Sequence, residues 1–257
     1  MKIAFIGAGK MAEALIARLS KHQIIAADID PKRLAHLKKK YKIQVTTDNS
    51  AAFSFGDVVI LAVKSQQMAE VLEERRASNV ESRKLVISIV AGIPLSYLQK
   101  KLKGVDLVRA MPNNPCLVGH GITALNRESS AARKIFEAVG EVIVVPEKYI
   151  DAVTGLSGSG PAFIYLAIEA MTEAGRGLGL DKKVAGKLAV QTVLGSAKTM
   201  QMTGRSAKEL REMVTSPGGT TIEGLKVLEK RKFSHALAEA IAAATKKAKL
   251  ISQKWTS

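Results

Sequence analysis

The stretch Ile3-Ala-Phe-Ile-Gly7-Ala-Gly9-Lys-Met-Ala12-Glu-Ala-Leu constrains this chain more than any other. An apolar run with strand character meets two glycines one residue apart and then passes into helical spacing. Gly7 permits a tight turn, and Gly9 lets a ligand approach bare backbone. The helix that follows turns its unpaired N–H groups and the positive end of its dipole toward that turn, which suits a pyrophosphate. Ala12 stands in the third small-residue position of the pattern. Asp28 closes the next strand pattern about twenty residues later, where an acid can hold a ribose hydroxyl. Turn, preceding strand and acid together predict dinucleotide binding. Asp28 favours NADH, whereas Lys32 and Arg33 just beyond could serve a 2'-phosphate, so NADPH or NADH stays open. Asp28 could equally be a helix-capping acid before Pro31.

The pattern around this turn is that of an α/β domain. Strand candidates lie at 3–7, 24–28, 43–46, 57–63, 84–90 and 107–109, with further pieces at 121–125 and 141–145. Val58-Val59-Ile60-Leu61-Ala62-Val63 is continuously apolar, as a strand covered on both faces must be. Helical patterns alternate with these runs, which predicts a mostly parallel sheet with helices on its faces. After about residue 150 the rhythm becomes helical almost to the end. The expected division is therefore a dinucleotide-binding domain over 1–150 and an all-helical domain over 151–257. Ser206-Ala-Lys-Glu209 has capping-box spacing and predicts a helix start. Ala162 to Met171 is apolar on nearly every side, and Leu188, Val190, Val193 and Leu194 follow. A domain of about a hundred residues cannot cover such helices alone, so a homodimer or larger homo-oligomer built through this half is expected.

The formal charge is +16, a value that raises the question of nucleic acid. The excess is spread, however, with net +9 over 1–150 and net +7 over 151–257. With one Trp, four Tyr and six Phe there is little material for base stacking. Neither nucleic acid nor a membrane is expected as a partner, and the compartment expected is the cytoplasm. Lys38-Lys39-Lys40 falls near a predicted helix end, where cations complement the dipole. Cys116 is the single cysteine and His22, His36, His120 and His235 form no constellation, so no metal site is expected.

A second chemical feature lies in the helical half. Ser216-Pro-Gly-Gly-Thr-Thr221 is a hydroxyl-rich, glycine-rich turn opening onto a helix with Ile222, Leu225 and Leu228 at three-residue steps. Backbone N–H groups at such a turn make an anion site that suits a carboxylate. A helix cap alone would account for Thr220 or Thr221 but not for the full set.

The segment Leu210 to Glu229 containing this turn closely resembles the signature of pyrroline-5-carboxylate reductases. Asp151-Ala-Val-Thr-Gly-Leu-Ser-Gly-Ser-Gly-Pro-Ala162 resembles that family's domain junction, Met111-Pro-Asn-Asn-Pro115 its loop, and Val63-Lys64 its fourth-strand end. With the glycine turn, these motifs stand in the family's order from the start of the chain to about Glu229. The resemblance implies a Rossmann domain followed by a helical dimerisation domain, with NADPH or NADH as hydride donor and proline as product of a small imino-acid substrate. It further implies that Gly7, Gly9, Lys10 and Met11 face the pyrophosphate and that Asp28 and Asn49 lie at the adenosine end. Ala62, Val63, Lys64, Met111, Pro112 and Asn113 would line the nicotinamide crevice, and Ser216, Gly218, Gly219, Thr220 and Thr221 would hold the imino acid. Thr221 and Lys64 are the catalytic candidates, Thr221 through a hydrogen bond to the ring nitrogen and Lys64 by biasing the local potential, though Lys64 could equally do no more than close the strand end. Two departures stand beside the resemblance: Asp28 occupies a position that is neutral or basic in many NADPH-preferring relatives, and no motif of the family is recognised after Glu229. The alternatives are another two-domain imine or hydroxy-acid reductase, and a non-catalytic dinucleotide binder.

Overall fold

The computed structural model describes residues 1–77 and 84–255. Eight strands form one sheet: β1 (Lys2–Ile6), β2 (Gln23–Ala27), β3 (Gln44–Thr46), β4 (Val58–Leu61), β5 (Leu85–Ser88), β6 (Asp106–Met111), β7 (Gly121–Leu125) and β8 (Gly140–Val144). Their order is β3-β2-β1-β4-β5-β6-β7-β8. The first six run parallel, β7 runs antiparallel to β6, and β8 is parallel to β7. Every strand candidate read from the sequence is present, with bounds shifted by up to two residues at most ends.

The helices are α1 (Lys10–Arg18), α2 (Pro31–Tyr41), α3 (Asn49–Phe55), α4 (Met68–Ala77), α5 (Leu95–Lys101), α6 (Ser130–Glu137) and α7 (Ile150–Val153), followed by α8 (Gly160–Gly177), α9 (Lys182–Thr203), α10 (Ala207–Met213), α11 (Thr220–Lys230) and α12 (Phe233–Gln253). Alternation along β1 explains how the sheet is covered. Ile3 and Phe5 enter a core with Leu15 and Ile16 of α1, Leu34 and Leu37 of α2, and Ile135 and Phe136 of α6. Ala4 and Ile6 enter the opposite core with Phe53 of α3, Met68 and Leu72 of α4, and Leu98 of α5. Side chains two apart share a face, so a strand apolar at every position requires helices on both.

The chain divides into two compact units, Met1–Ser159 with Ala242–Ser257, and Gly160–Ile241. The sequence reading assigned all of 151–257 to the helical domain; here residues 151–159 and the last turns of α12 count with the sheet. Helical periodicity marks a helix without saying what it packs on. A Cβ on Gly92 would lie 2.3 Å from Ile251 Cγ2, and the rings of Tyr97 and Trp255 meet edge-on at 4.8 Å. Ser252 Oγ lies 3.2 Å from each oxygen of Asp151.

In the helical unit, α8 and α9 pack closely, and a Cβ on Gly175 would lie 3.1 Å from that of Ala185. Leu166, Leu188 and Leu194 remain 65%, 55% and 58% exposed, an apolar surface left uncovered within one chain. The capping box forms: Ser206 Oγ accepts from Glu209 N at 3.3 Å, and Ser206 N donates to Glu209 Oε2 at 2.8 Å. No described helix is long and apolar enough to cross a membrane.

Candidate active site

The chain leaves β1 toward α1 on one face and leaves the adjacent β4 toward α4 on the other. At the carboxyl ends of two such strands the loops diverge and open a crevice, the expected ligand position in a doubly wound sheet. A cavity of about 310 Å³ lies there. Gly7, Gly9, Asp28, Asn49, Ala62, Val63 and Lys64 line it, seven of the residues assigned to the cofactor from sequence.

The first turn has the geometry its glycines predict. Gly7 has φ +96°, and a Cβ there would lie 2.7 Å from Ala62 C and Val63 N. Only glycine admits that conformation and that closeness together. Around a Cβ built on Gly9, by contrast, nothing lies within 4 Å, so that side of the turn is open to a ligand. Gly9 caps α1 without a side-chain hydrogen bond, leaving the helix N-terminus for an anion. These features fit a dinucleotide pyrophosphate.

Asp28, Arg33 and Glu13 form the frame of this turn. Asp28 Oδ2 accepts from Ala8 N at 2.7 Å, and its Oδ1 accepts from Asp30 N at 3.0 Å. Asp30, rather than Asp28, caps α2, accepting from Lys32 N and Arg33 N. Arg33 donates from Nε to Ala8 O and from Nη2 to Gly9 O at 3.2 Å and Glu13 Oε2 at 2.6 Å. Glu13 also meets His36, Lys40 and Tyr41 at 3.0–3.1 Å. Burial would raise the Glu13 carboxyl, but its bonds with Arg33, His36, Lys40 and Tyr41 outweigh that and hold its pKa well below the usual carboxylate range.

Sequence reading missed Glu70 and Glu74, which also line the crevice. They are one helical turn apart on α4, and Asn49 Nδ2 donates to Glu74 Oε2 at 2.7 Å. Their signal was available: acids at i and i+4 on the helix that follows the strand beside the glycine turn. Lys10, Met11, Met111, Pro112 and Asn113 are not among the cavity's lining residues. Met111 is buried in a small cluster with Ala124 and Ile150, and Asn113 Oδ1 accepts from Ile122 N at 2.9 Å.

The second turn belongs to the helical unit. Gly218 has φ +71°, Gly219 N donates to Ser216 O at 3.0 Å, and a Cβ on Gly219 would come within 2.5 Å of Ser216 Oγ. Gly218 is thus required by the turn's backbone, while Gly219 leaves room for the Ser216 hydroxyl. Gly219 caps α11 without a side-chain bond, and Thr220 and Thr221 occupy its first two positions, both exposed. The arrangement offers backbone donors and two hydroxyls to a small anion.

Comparison with known proteins finds two family models along the chain. Residues 2–92 match the family model described as "NADP oxidoreductase coenzyme F420-dependent", and residues 147–251 match "Pyrroline-5-carboxylate reductase dimerisation", so the family's pattern runs on past Glu229, where the sequence reading found no motif. A pyrroline-5-carboxylate reductase of Methanosarcina acetivorans is 44% identical, with 98% of each chain covered. The solved pyrroline-5-carboxylate reductase of Coxiella burnetii is 39% identical with a TM-score of 0.87, covering 97% of this chain and 98% of that one. That of Plasmodium falciparum, solved with NADP bound, is 28% identical with a TM-score of 0.87 and 98% of each chain covered. With a glycine turn and a hydroxyl-rich turn in the expected order and near-complete coverage by such relatives, this chain belongs to the pyrroline-5-carboxylate reductase family.

Proposed function

We propose that this protein reduces 1-pyrroline-5-carboxylate to L-proline with NADPH or NADH, the last step of proline biosynthesis. The observation that carries the reading is the switch-point crevice, built around an open glycine turn, in a chain that also holds the 216–221 turn. The named activity of full-length relatives supports it.

In this reading Gly7, Gly9, Lys10 and Met11 hold the pyrophosphate, Asp28 and Asn49 the adenosine end, and Ala62, Val63, Lys64 and Met111 to Asn113 the nicotinamide end. The reduced nicotinamide, when bound, supplies a hydride for the imine carbon. Ser216, Gly218, Gly219 and Thr220 fix the substrate carboxylate through backbone N–H groups and hydroxyls at the start of α11. Thr221 hydrogen-bonds the ring nitrogen as the imine becomes an amine, and Lys64 biases the local potential. Orientation of a substrate already electrophilic as its protonated imine supplies most of the rate, so no histidine acid is required.

In this account the sheet unit serves the dinucleotide, and the helical unit, residues 160–241, serves the imino acid and the subunit contact. The exposed leucines of α8 and α9 and the match over 147–251 support a homodimer or larger homo-oligomer formed there. The cytoplasm, where a reduced thiol such as buried Cys116 persists, is the proposed compartment. The test is oxidation of NADH and of NADPH by the purified protein with pyrroline-5-carboxylate, with proline assayed as product. Turnover with proline formed is expected; dinucleotide binding without turnover would refute the reading.

A further inference from the structure

Three carboxylates, Asp28, Glu70 and Glu74, line the dinucleotide crevice. NADPH carries a phosphate on the adenosine ribose where NADH carries a hydroxyl, and the acid closing the second strand is the group that meets this position. We propose that this protein selects NADH over NADPH, with Asp28 as the specificity-determining residue, Arg33 withheld from the phosphate, and Glu70 and Glu74 adding to the rejection. The proposal rests on the dinucleotide reading of the crevice.

Asp28 is already aimed. Its two backbone bonds, from Ala8 N and Asp30 N, fix the carboxylate at the turn. A carboxylate offers about four lone-pair positions, so capacity remains for a ribose hydroxyl. A hydroxyl can donate to it; an ionised phosphate has no proton to give and brings like charge instead. Glu70 and Glu74 share the crevice, and Lys64, at the end of β4, is the only cation lining it among the described residues. An added phosphate dianion would face these carboxylates with Lys64 as the one cation among the described lining residues, and such like-charge juxtaposition disfavours the wrong partner.

Lys32 and Arg33 were the residues that could have served a 2'-phosphate. Lys32 is not among the lining residues. Arg33 faces the turn's carbonyl oxygens, Ala8 O and Gly9 O, and pairs with Glu13. Turning it toward a phosphate would abandon these bonds and loosen the turn that holds the pyrophosphate. Its guanidinium therefore acts as a strut of the glycine turn.

The experiment is titration of the full-length protein with NADH and with NADPH, without imine, following the dissociation constants by calorimetry. NADH should bind more tightly by about tenfold or more, a difference of roughly 1.4 kcal/mol. Asp28→Asn keeps an oxygen that can accept from Ala8 N while removing the charge. It should narrow the ratio by about tenfold, chiefly through tighter NADPH binding. Glu74→Gln, which leaves the turn untouched and retains an acceptor for Asn49, should narrow it by about twofold to threefold. Equal or tighter binding of NADPH by the unaltered protein overturns the proposal, as do unchanged ratios in both variants. Because binding is read without imine, NADH selectivity without turnover would sink only the reductase reading. Proline formation with NADPH preferred would sink only this one.

Discussion

Arg33 Nη2 lies 2.6 Å from Glu13 Oε2, and the same guanidinium donates to the carbonyl oxygens of Ala8 and Gly9. The pair thus links the packing of α1 on α2 to the shape of the glycine turn. Glu13→Gln keeps the volume and removes the charge that Arg33, His36 and Lys40 meet. We expect a loss of about 1.5–3 kcal/mol at neutral pH, the worth of hydrogen bonds to a charged group. Because the folded-state pKa of Glu13 is depressed, its contribution is present above the unfolded value of about 4.3 and is lost as pH falls below it. Urea melts at neutral and acid pH should show the gap between the two proteins closing toward low pH. A gap that widened on acidification would contradict the assignment.

Arg109 should matter to stability without touching the dinucleotide. It is 2% exposed in β6, with Nη1 3.4 Å from Glu147 Oε1 and Nη2 3.2 Å from Asp151 Oδ1. Glu147 Oε1 also accepts from Leu95 N at 2.6 Å, and Asp151 meets Ser252, so one cation organises α5, α7 and α12. Arg109→Met should cost about 3–5 kcal/mol, because two carboxylates lose their buried partner. A denaturation midpoint shift worth less than about 1 kcal/mol would show that they are solvated without it.

The two glycines of the first turn should fail differently. Gly7→Ala places a methyl 2.7 Å from the backbone of Ala62 and Val63 at φ +96°, so the folded state itself should suffer, by about 2 kcal/mol or more. Gly9→Ala meets nothing in the protein. It should melt within about 1 kcal/mol of the unaltered chain yet bind reduced dinucleotide at least about tenfold more weakly. Equal loss of stability in both would remove the distinction between a structural and a ligand-facing glycine.

Thr221→Ala tests the substrate turn. Thr221 is the second residue of α11 and exposed, so folding should be unchanged. Turnover should fall by about a hundredfold, at the low end for a group assisting proton transfer. Dinucleotide affinity should stay the same. Unchanged turnover would remove Thr221 from the chemistry and leave the backbone donors as the working part of the turn.

Much of this was legible in the residues because it is local. Continuous apolar runs such as Val58 to Leu61 mark strands covered on both faces, and Gly7, Gly9 and Asp28 mark a turn whose constraints act within a few residues of chain. What was not legible depends on which pieces meet. The antiparallel joining of β7 to β6 leaves no trace in alternation, since a strand reads the same in both directions. The docking of Ile251 and Trp255 near Gly92 and Tyr97 pairs residues about 160 positions apart, and helical spacing is silent about such partners. Arg33 reads as a phosphate ligand until Glu13, twenty residues earlier, is seen beside it. Asp28 needed both readings: it braces the turn and keeps acceptor capacity for a hydroxyl.

The central claim is hydride delivery to an imine carbon, and isotope transfer tests it most directly. The purified protein is given pyrroline-5-carboxylate and reduced dinucleotide carrying deuterium at both C4 positions, in ordinary water, and the proline formed is analysed by mass spectrometry and NMR. The account predicts proline one mass unit heavier, with the label on the δ carbon that was double-bonded to nitrogen. Unlabelled proline, or no proline while the protein still binds dinucleotide, would contradict it.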